Sequence, residues 1–97
     1  MEAFEYPQLK KEFVLKENIN EIFISSPFIK LDQLLKFSSI AQTGAMAKEM
    51  ILDGRCIIEG NPCFSRGKKL FKGDFVFVFV PSFNIDEEDE IAVLKIV

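Results

Sequence analysis

Histidine and tryptophan are absent from this 97-residue chain, tyrosine occurs once, and cysteine occurs twice, at Cys56 and Cys63. Without histidine the chain lacks the commonest general base and the usual activator of a nucleophile, which lowers the expectation of an enzyme. Two cysteines and no histidine fall short of the four ligands a structural zinc site takes, so neither a metal nor another cofactor is expected. The pair reads as two reduced, small, semi-buried side chains of a cytosolic protein. Long apolar runs are missing too. The longest, Phe75 to Val80, has the length of a strand and is far from the roughly 18 to 20 residues of a membrane span. The start, MEAFEYPQLKKEF, carries acids early and has no apolar stretch behind a basic head, so a cytoplasmic location is the expectation.

What is present is a hydrophobic composition of 48% with eleven phenylalanines, enough for one small domain. The formal net charge of −3 argues at first against a polyanionic partner. Its distribution argues otherwise. Residues 1–26 hold five acids and three bases, residues 27–80 five acids and eight bases, and residues 81–97 five acids and one base. Because salt screens charges beyond about 8 Å, a local basic surface can bind phosphate on an acidic molecule.

The chain divides into three segments: an N-terminal extension over 1–26, a central domain over 27–80, and an acidic loop with a closing strand over 81–97 packed on the same domain. In the first, EFVLK at 12–16 and EIFI at 21–24 make a candidate hairpin around ENIN. Ser25-Ser26-Pro27 punctuates the chain before a first helix, with Pro27 tolerated in its first turn and Leu31, Leu34 and Leu35 on one arc. Thr43 offers the N-cap of a second helix running to about Leu52, with Met46, Ala47, Met50 and Ile51 inward and Gly54 in the C′ position. Extended chain then runs from Arg55 to Glu59, a turn falls at Gly60-Asn61-Pro62, and further extended chain covers Cys63 to Ser65. Arg66 to Lys69 forms a basic turn and Lys72-Gly73-Asp74 a second one. The run FVFVFV, apolar at every position, predicts a strand covered on both faces, with IAVLKIV as its partner. The fold class is α+β: two helices packed on a small, mostly antiparallel sheet.

The residues that could meet an anion fall into three groups. Lys30, Gln33 and Lys36 lie away from the leucine arc, where a solvated helix face would explain them equally well. At the start of the second helix Gly44 and Ala45 leave backbone N–H groups accessible beside Thr43, with Lys48 one turn on. Arg66, Lys68 and Lys69 place three cations around Gly67, and such a cluster repels itself unless an anion is near.

Taken in order, these blocks resemble the ribosomal-protein-S-four RNA-binding domain family, in particular its small stand-alone bacterial members of the YaaA type. The matching residues are Ile29-Lys30-Leu31-Asp32-Gln33-Leu34-Leu35-Lys36, Thr43-Gly44-Ala45-Met46-Ala47-Lys48, then Ile51, Gly54, Ile57, Ile58 and Gly60, then Ser65-Arg66-Gly67-Lys68-Lys69-Leu70, and Gly73-Asp74. The resemblance implies an αL-type module that binds structured RNA, ribosomal or transfer, and associates with the ribosome without catalysing a reaction. It assigns RNA contact to Lys30, Gln33, Lys36, Thr43, Gly44, Lys48, Arg66, Lys68 and Lys69, with Arg55 a weaker candidate, and a structural role to Asp32, holding a neighbouring cation or the helix start. Two departures stand out. Gly44 occupies a position where many members carry arginine, and Glu59 makes the turn Ile58-Glu59-Gly60 repulsive to phosphate. The phenylalanines read as core, and no base-stacking platform is expected. The alternative is a ribosome-associated protein-interaction module that uses FVFVFV or the acidic DEEDE at 86–90.

Overall fold

A computed structural model describes residues 19–81 and 90–97 of the chain. Two helices pack on a five-stranded sheet, with a two-stranded ladder beside the first helix. In chain order the strands are β1 (Ile19–Ile22), β2 (Ile29–Lys30), β3 (Cys56–Ile58), β4 (Asn61–Pro62), β5 (Lys69–Leu70), β6 (Phe75–Val80) and β7 (Glu90–Ile96), and the helices are α1 (Leu31–Phe37) and α2 (Gly44–Leu52). The large sheet has the order β1-β7-β6-β3-β4 and is antiparallel except where β1 runs parallel to β7.

An isolated helix of seven residues would not persist in water, so α1 exists because its packing holds it. Leu31, Leu34 and Leu35 are completely buried, and each contributes on the order of 1.5–3 kcal/mol by leaving water. They meet Ala47, Met50 and Ile51 of α2 and the inward side chains of the sheet, Cys56, Val76, Val78, Leu94 and Ile96, in one core. Helix α1 starts later than the punctuation at Ser25-Ser26-Pro27 indicates. Ile29 and Lys30 are drawn instead into an antiparallel ladder with Leu70 and Lys69.

Helix α2 is bounded as its sequence predicts. The Thr43 Oγ1 accepts a hydrogen bond from the Met46 N–H at 3.1 Å. At the other end Gly54, with φ of +78°, donates its N–H to Ile51 O at 3.0 Å, while the Arg55 N–H reaches Met50 O at 3.2 Å. That pair of bonds is a Schellman closure, which needs the left-handed residue glycine supplies without strain.

Three expectations shift. The turn between β3 and β4 is Glu59-Gly60, one residue earlier than Gly60-Asn61-Pro62, and both residues have positive φ (54° and 82°), as a two-residue hairpin with right-handed twist demands. Asn61 and Pro62 are strand, and Pro62 is tolerated because β4 is an edge. In the N-terminal segment Ile19 and Asn20, expected in a turn, are strand, and β1 pairs with β7. The 12–16 arm of the candidate hairpin lies outside the described residues, as do residues 86–89 of DEEDE.

FVFVFV is the middle strand, with both edges paired, so it presents no free edge to a partner. Its valines Val76 and Val78 are completely buried toward the helices, whereas Phe75, Phe77 and Phe79 are half-buried on the opposite face. On that second face the register sets Ile57, Phe77, Val93 and Ile19 in one row across four strands. IAVLKIV pairs with FVFVFV as expected, Lys95 to Glu90 standing opposite Phe75 to Val80.

Candidate nucleic-acid interface

The basic turn and the start of α1 are joined through the backbone. Lys68 N–H closes the turn onto Ser65 O at 3.2 Å, and the turn's carbonyls then face the first N–H groups of α1. Leu31 N–H donates to Lys68 O at 2.9 Å and Asp32 N–H to Arg66 O at 3.1 Å. Two of the orphan donors that would make a helix N-terminus an anion site are therefore engaged here. What remains for a ligand is side-chain charge.

That charge is placed under tension. Lys30 and Lys69 are direct partners on the β2–β5 ladder. The flanking bond from Leu31 N–H to Lys68 O makes them a non-hydrogen-bonded pair, the type whose Cα atoms approach to about 4.5 Å and whose side chains leave on the same face. Like charges so placed destabilise a ladder. Both side chains are exposed, and Arg66 and Lys68 stand exposed on the adjoining turn. Lys69 gains partial compensation, with its Nζ 4.7 Å from the centroid of the Phe28 ring.

Gln33 has a second occupation. Its Oε1 accepts the Lys30 N–H at 3.1 Å, half of a capping box whose other half a lysine cannot supply. The exposed amide nitrogen is the part it can offer outward. Asp32 sits in the first turn of α1, where the helix dipole favours an acid. Of the two tasks expected of it, a place at the helix start is what it has; among the described residues it forms no ion pair, and its Oδ1 is buried without a hydrogen-bond partner.

The structure thus brings together Lys30, Gln33, Arg66, Lys68 and Lys69. Lys36 lies in the last turn of α1, at the far end of that helix from the ladder. Thr43, Gly44 and Lys48 follow on the first turns of the packed helix α2, all exposed. A Cβ at Gly44 would meet nothing within 4 Å, so close packing is not what glycine serves there, and the same holds for Gly67. Arg55 belongs elsewhere. It is half-buried, its Nε lies 3.5 Å from Asp53 Oδ2 and its Nη1 donates to Phe79 O at 3.2 Å, which ties the end of α2 to β6.

Sequence reasoning missed the aromatic border of this surface. Phe64 and Phe71 are 58% and 49% exposed, and Phe71 forms a tilted pair with Phe28 at a centroid distance of 6.0 Å. The available signal was their position, since both flank SRGKKL and so fall outside any apolar run. Lys72 is exposed in the next turn. The cysteines are free thiols. Burial, aided by the neighbouring Cys63, pushes Cys56 up to about 12, which makes it an inert core residue. Among the described residues no group of three or more carboxylates or cysteines is placed to hold a metal, and no helix is long and apolar enough to cross a membrane.

Two helices on a mostly antiparallel sheet, with a cationic turn docked on the start of α1, define a small α+β domain with a basic surface. The chain belongs to the S4 domain family, whose family model matches residues 22–86. It is also similar to the probable ribosome maturation protein RlbA of Bacillus subtilis (strain 168), at 37% identity over 57 residues, covering 59% of this chain and 80% of that protein.

Proposed function

We propose that this protein is a non-catalytic binder of structured RNA, with ribosomal RNA as its first target and transfer RNA as the second. The observation that carries the reading is the Lys30–Lys69 pair, two exposed lysines directly opposite on a ladder beside Arg66 and Lys68. Such an arrangement costs stability in the free protein and is relieved by a phosphate backbone. Membership of the S4 domain family and the ribosome-maturation name of the Bacillus relative support the choice of partner.

Residues 27–80 carry the RNA face, framed as an αL-type module by α1, α2 and the β3–β4 hairpin, with β7 packed on the same domain. Lys30, Lys68, Lys69 and Arg66 neutralise phosphates, Gln33 offers its amide nitrogen, and Lys36, Thr43, Gly44 and Lys48 extend the track along the helices. Arg55 is left to the fold. Contacts of this kind read backbone and shape rather than sequence, and release counterions as they form.

The test is a pair of charge reversals, Arg66→Glu with Lys68→Glu, measured against a structured RNA across a salt series. The expected result is weaker binding with a salt slope reduced by about 0.7–0.9 for each phosphate no longer neutralised, while the circular dichroism spectrum stays unchanged. Unaltered affinity and slope would overturn the assignment. Crosslinking in cells then separates a ribosomal from a transfer-RNA footprint.

A further inference from the structure

We infer that the exposed face of Phe71 is a stacking platform for an unpaired nucleotide of the bound RNA, so that the ligand is a helix carrying a bulge, loop or overhang. The inference rests on the proposed RNA binding and makes it more specific.

Three observations point to it. Phe71 follows directly on Lys68-Lys69-Leu70, and its ring is about half exposed although the core lies one residue away at the fully buried Leu70. An apolar ring left in water beside a cluster of cations fits a ligand that combines a flat π-face with a negative charge, which is the chemistry of a nucleotide. The backbone that carries the ring is also held in place. The Asp74 carboxylate Oδ2 accepts the Phe71 N–H at 2.8 Å while the Asp74 N–H returns to Phe71 O at 2.9 Å, so the turn is bonded at both ends. Gly73, with φ of +99°, completes that turn and donates its N–H to Ile96 O at 2.7 Å, fixing it to the end of β7.

Phe28 and Lys69 complete the geometry. Phe28 meets Phe71 at 55° with 6.0 Å between centroids, a tilted contact that leaves Phe71 about half exposed. Lys69 Nζ lies 4.7 Å from the centroid of the same Phe28 ring, so one aromatic side chain touches both the Phe71 ring and a cation. Asp74 is the nearby acid, and its bond to the Phe71 N–H gives it a structural task in the turn. The occupant follows from the RNA proposed for the adjoining cations, whose nucleotides carry a flat π-face beside each phosphate.

The experiment compares two RNA hairpins, one fully paired and one carrying a single bulged 2-aminopurine, with the full chain and its Phe71→Ala, Phe71→Leu and Phe71→Tyr variants. The Ala and Leu variants are expected to lose about 5- to 100-fold on the bulged hairpin and less than about twofold on the paired one. Phe71→Tyr should keep both the affinity and the quenching of 2-aminopurine that stacking produces. The Leu variant retains apolar bulk, so its failure reports the missing π-face and not a damaged fold. Wild-type binding of both hairpins by Phe71→Ala overturns the stacking inference alone, as does an equal loss on both. Absence of salt-dependent binding to either hairpin by the unaltered protein overturns the RNA reading and the inference with it.

Discussion

Reversing one charge on the β2–β5 ladder separates the cost of the basic surface from its use. Lys69→Glu turns the repulsive Lys30–Lys69 pair into an attractive one at the same register. Cross-strand charge pairs are worth roughly 0.2–1 kcal/mol, so the ladder gains about that much. The variant also removes the ammonium over Phe28, an exposed interaction worth about 0.5–1 kcal/mol. The two nearly cancel, and the unfolding free energy should stay within about 1 kcal/mol of the parent. Binding should not be spared. A neutral companion, Lys69→Gln, leaves one phosphate without its cation and lowers the salt slope by about 0.7–0.9, which shrinks the affinity drop between about 50 and about 200 mM salt roughly threefold. Urea unfolding followed by circular dichroism gives the first quantity, and anisotropy of labelled RNA across salt gives the second. A fall in stability well beyond about 1 kcal/mol with an unchanged slope would show that Lys69 serves the fold and not a ligand.

The two glycines at the ends of α2 should respond unequally. Gly54→Ala forces a left-handed backbone on a side chain that also meets Phe64 Cε1 at 3.4 Å, and should cost about 1–2 kcal/mol, whereas Gly44→Ala enters open space and should cost nothing measurable in a urea titration. Equal effects would refute the Schellman assignment. For Cys56 the folded thiol titrates at about 12 against an ordinary 9.0, so the native state keeps a proton the unfolded chain releases. Stability should therefore be undiminished below about pH 9 and fall by about 1.4 kcal/mol per pH unit above it, a slope absent from Cys56→Ala. The same pH dependence in both proteins would remove the burial argument.

What can be read in the chain is what local chemistry decides. Thr43 and Gly54 bound α2 because a cap hydroxyl and a left-handed glycine act within a few residues of themselves. The start of α1 is not legible in the same way, because Ile29 and Lys30 answer to Lys69 and Leu70, partners that no local pattern reveals. The Gly60-Asn61-Pro62 turn slips by one residue for a related reason. Glu59 is a poor residue for positive φ, and only the hairpin's twist, imposed by β3 pairing with β6, selects it. At the site, charge clustering marks Arg66, Lys68 and Lys69 as neighbours, yet cannot tell Arg55, consumed by Asp53 and Phe79, from the cations that face outward. Phe71 reads as core because eleven phenylalanines in a small domain must mostly be inside. Its place next to a turn that Asp74 locks is a three-dimensional fact.

The parallel pairing of β1 with β7 carries a consequence for the order in which the molecule assembles. Ile19 pairs with Val93 across most of the chain, so the cost of closing that loop leads us to expect the first described strand to be among the last installed. The helix pair and the β3–β4 hairpin rely on partners closer in sequence and can form first. The basic turn reaches its seat on α1 only across an intermediate loop, and β1 then closes the sheet against β7. A partly made molecule would thus hold its helices before its edge is sealed, and β7 would lie open to another strand during that interval.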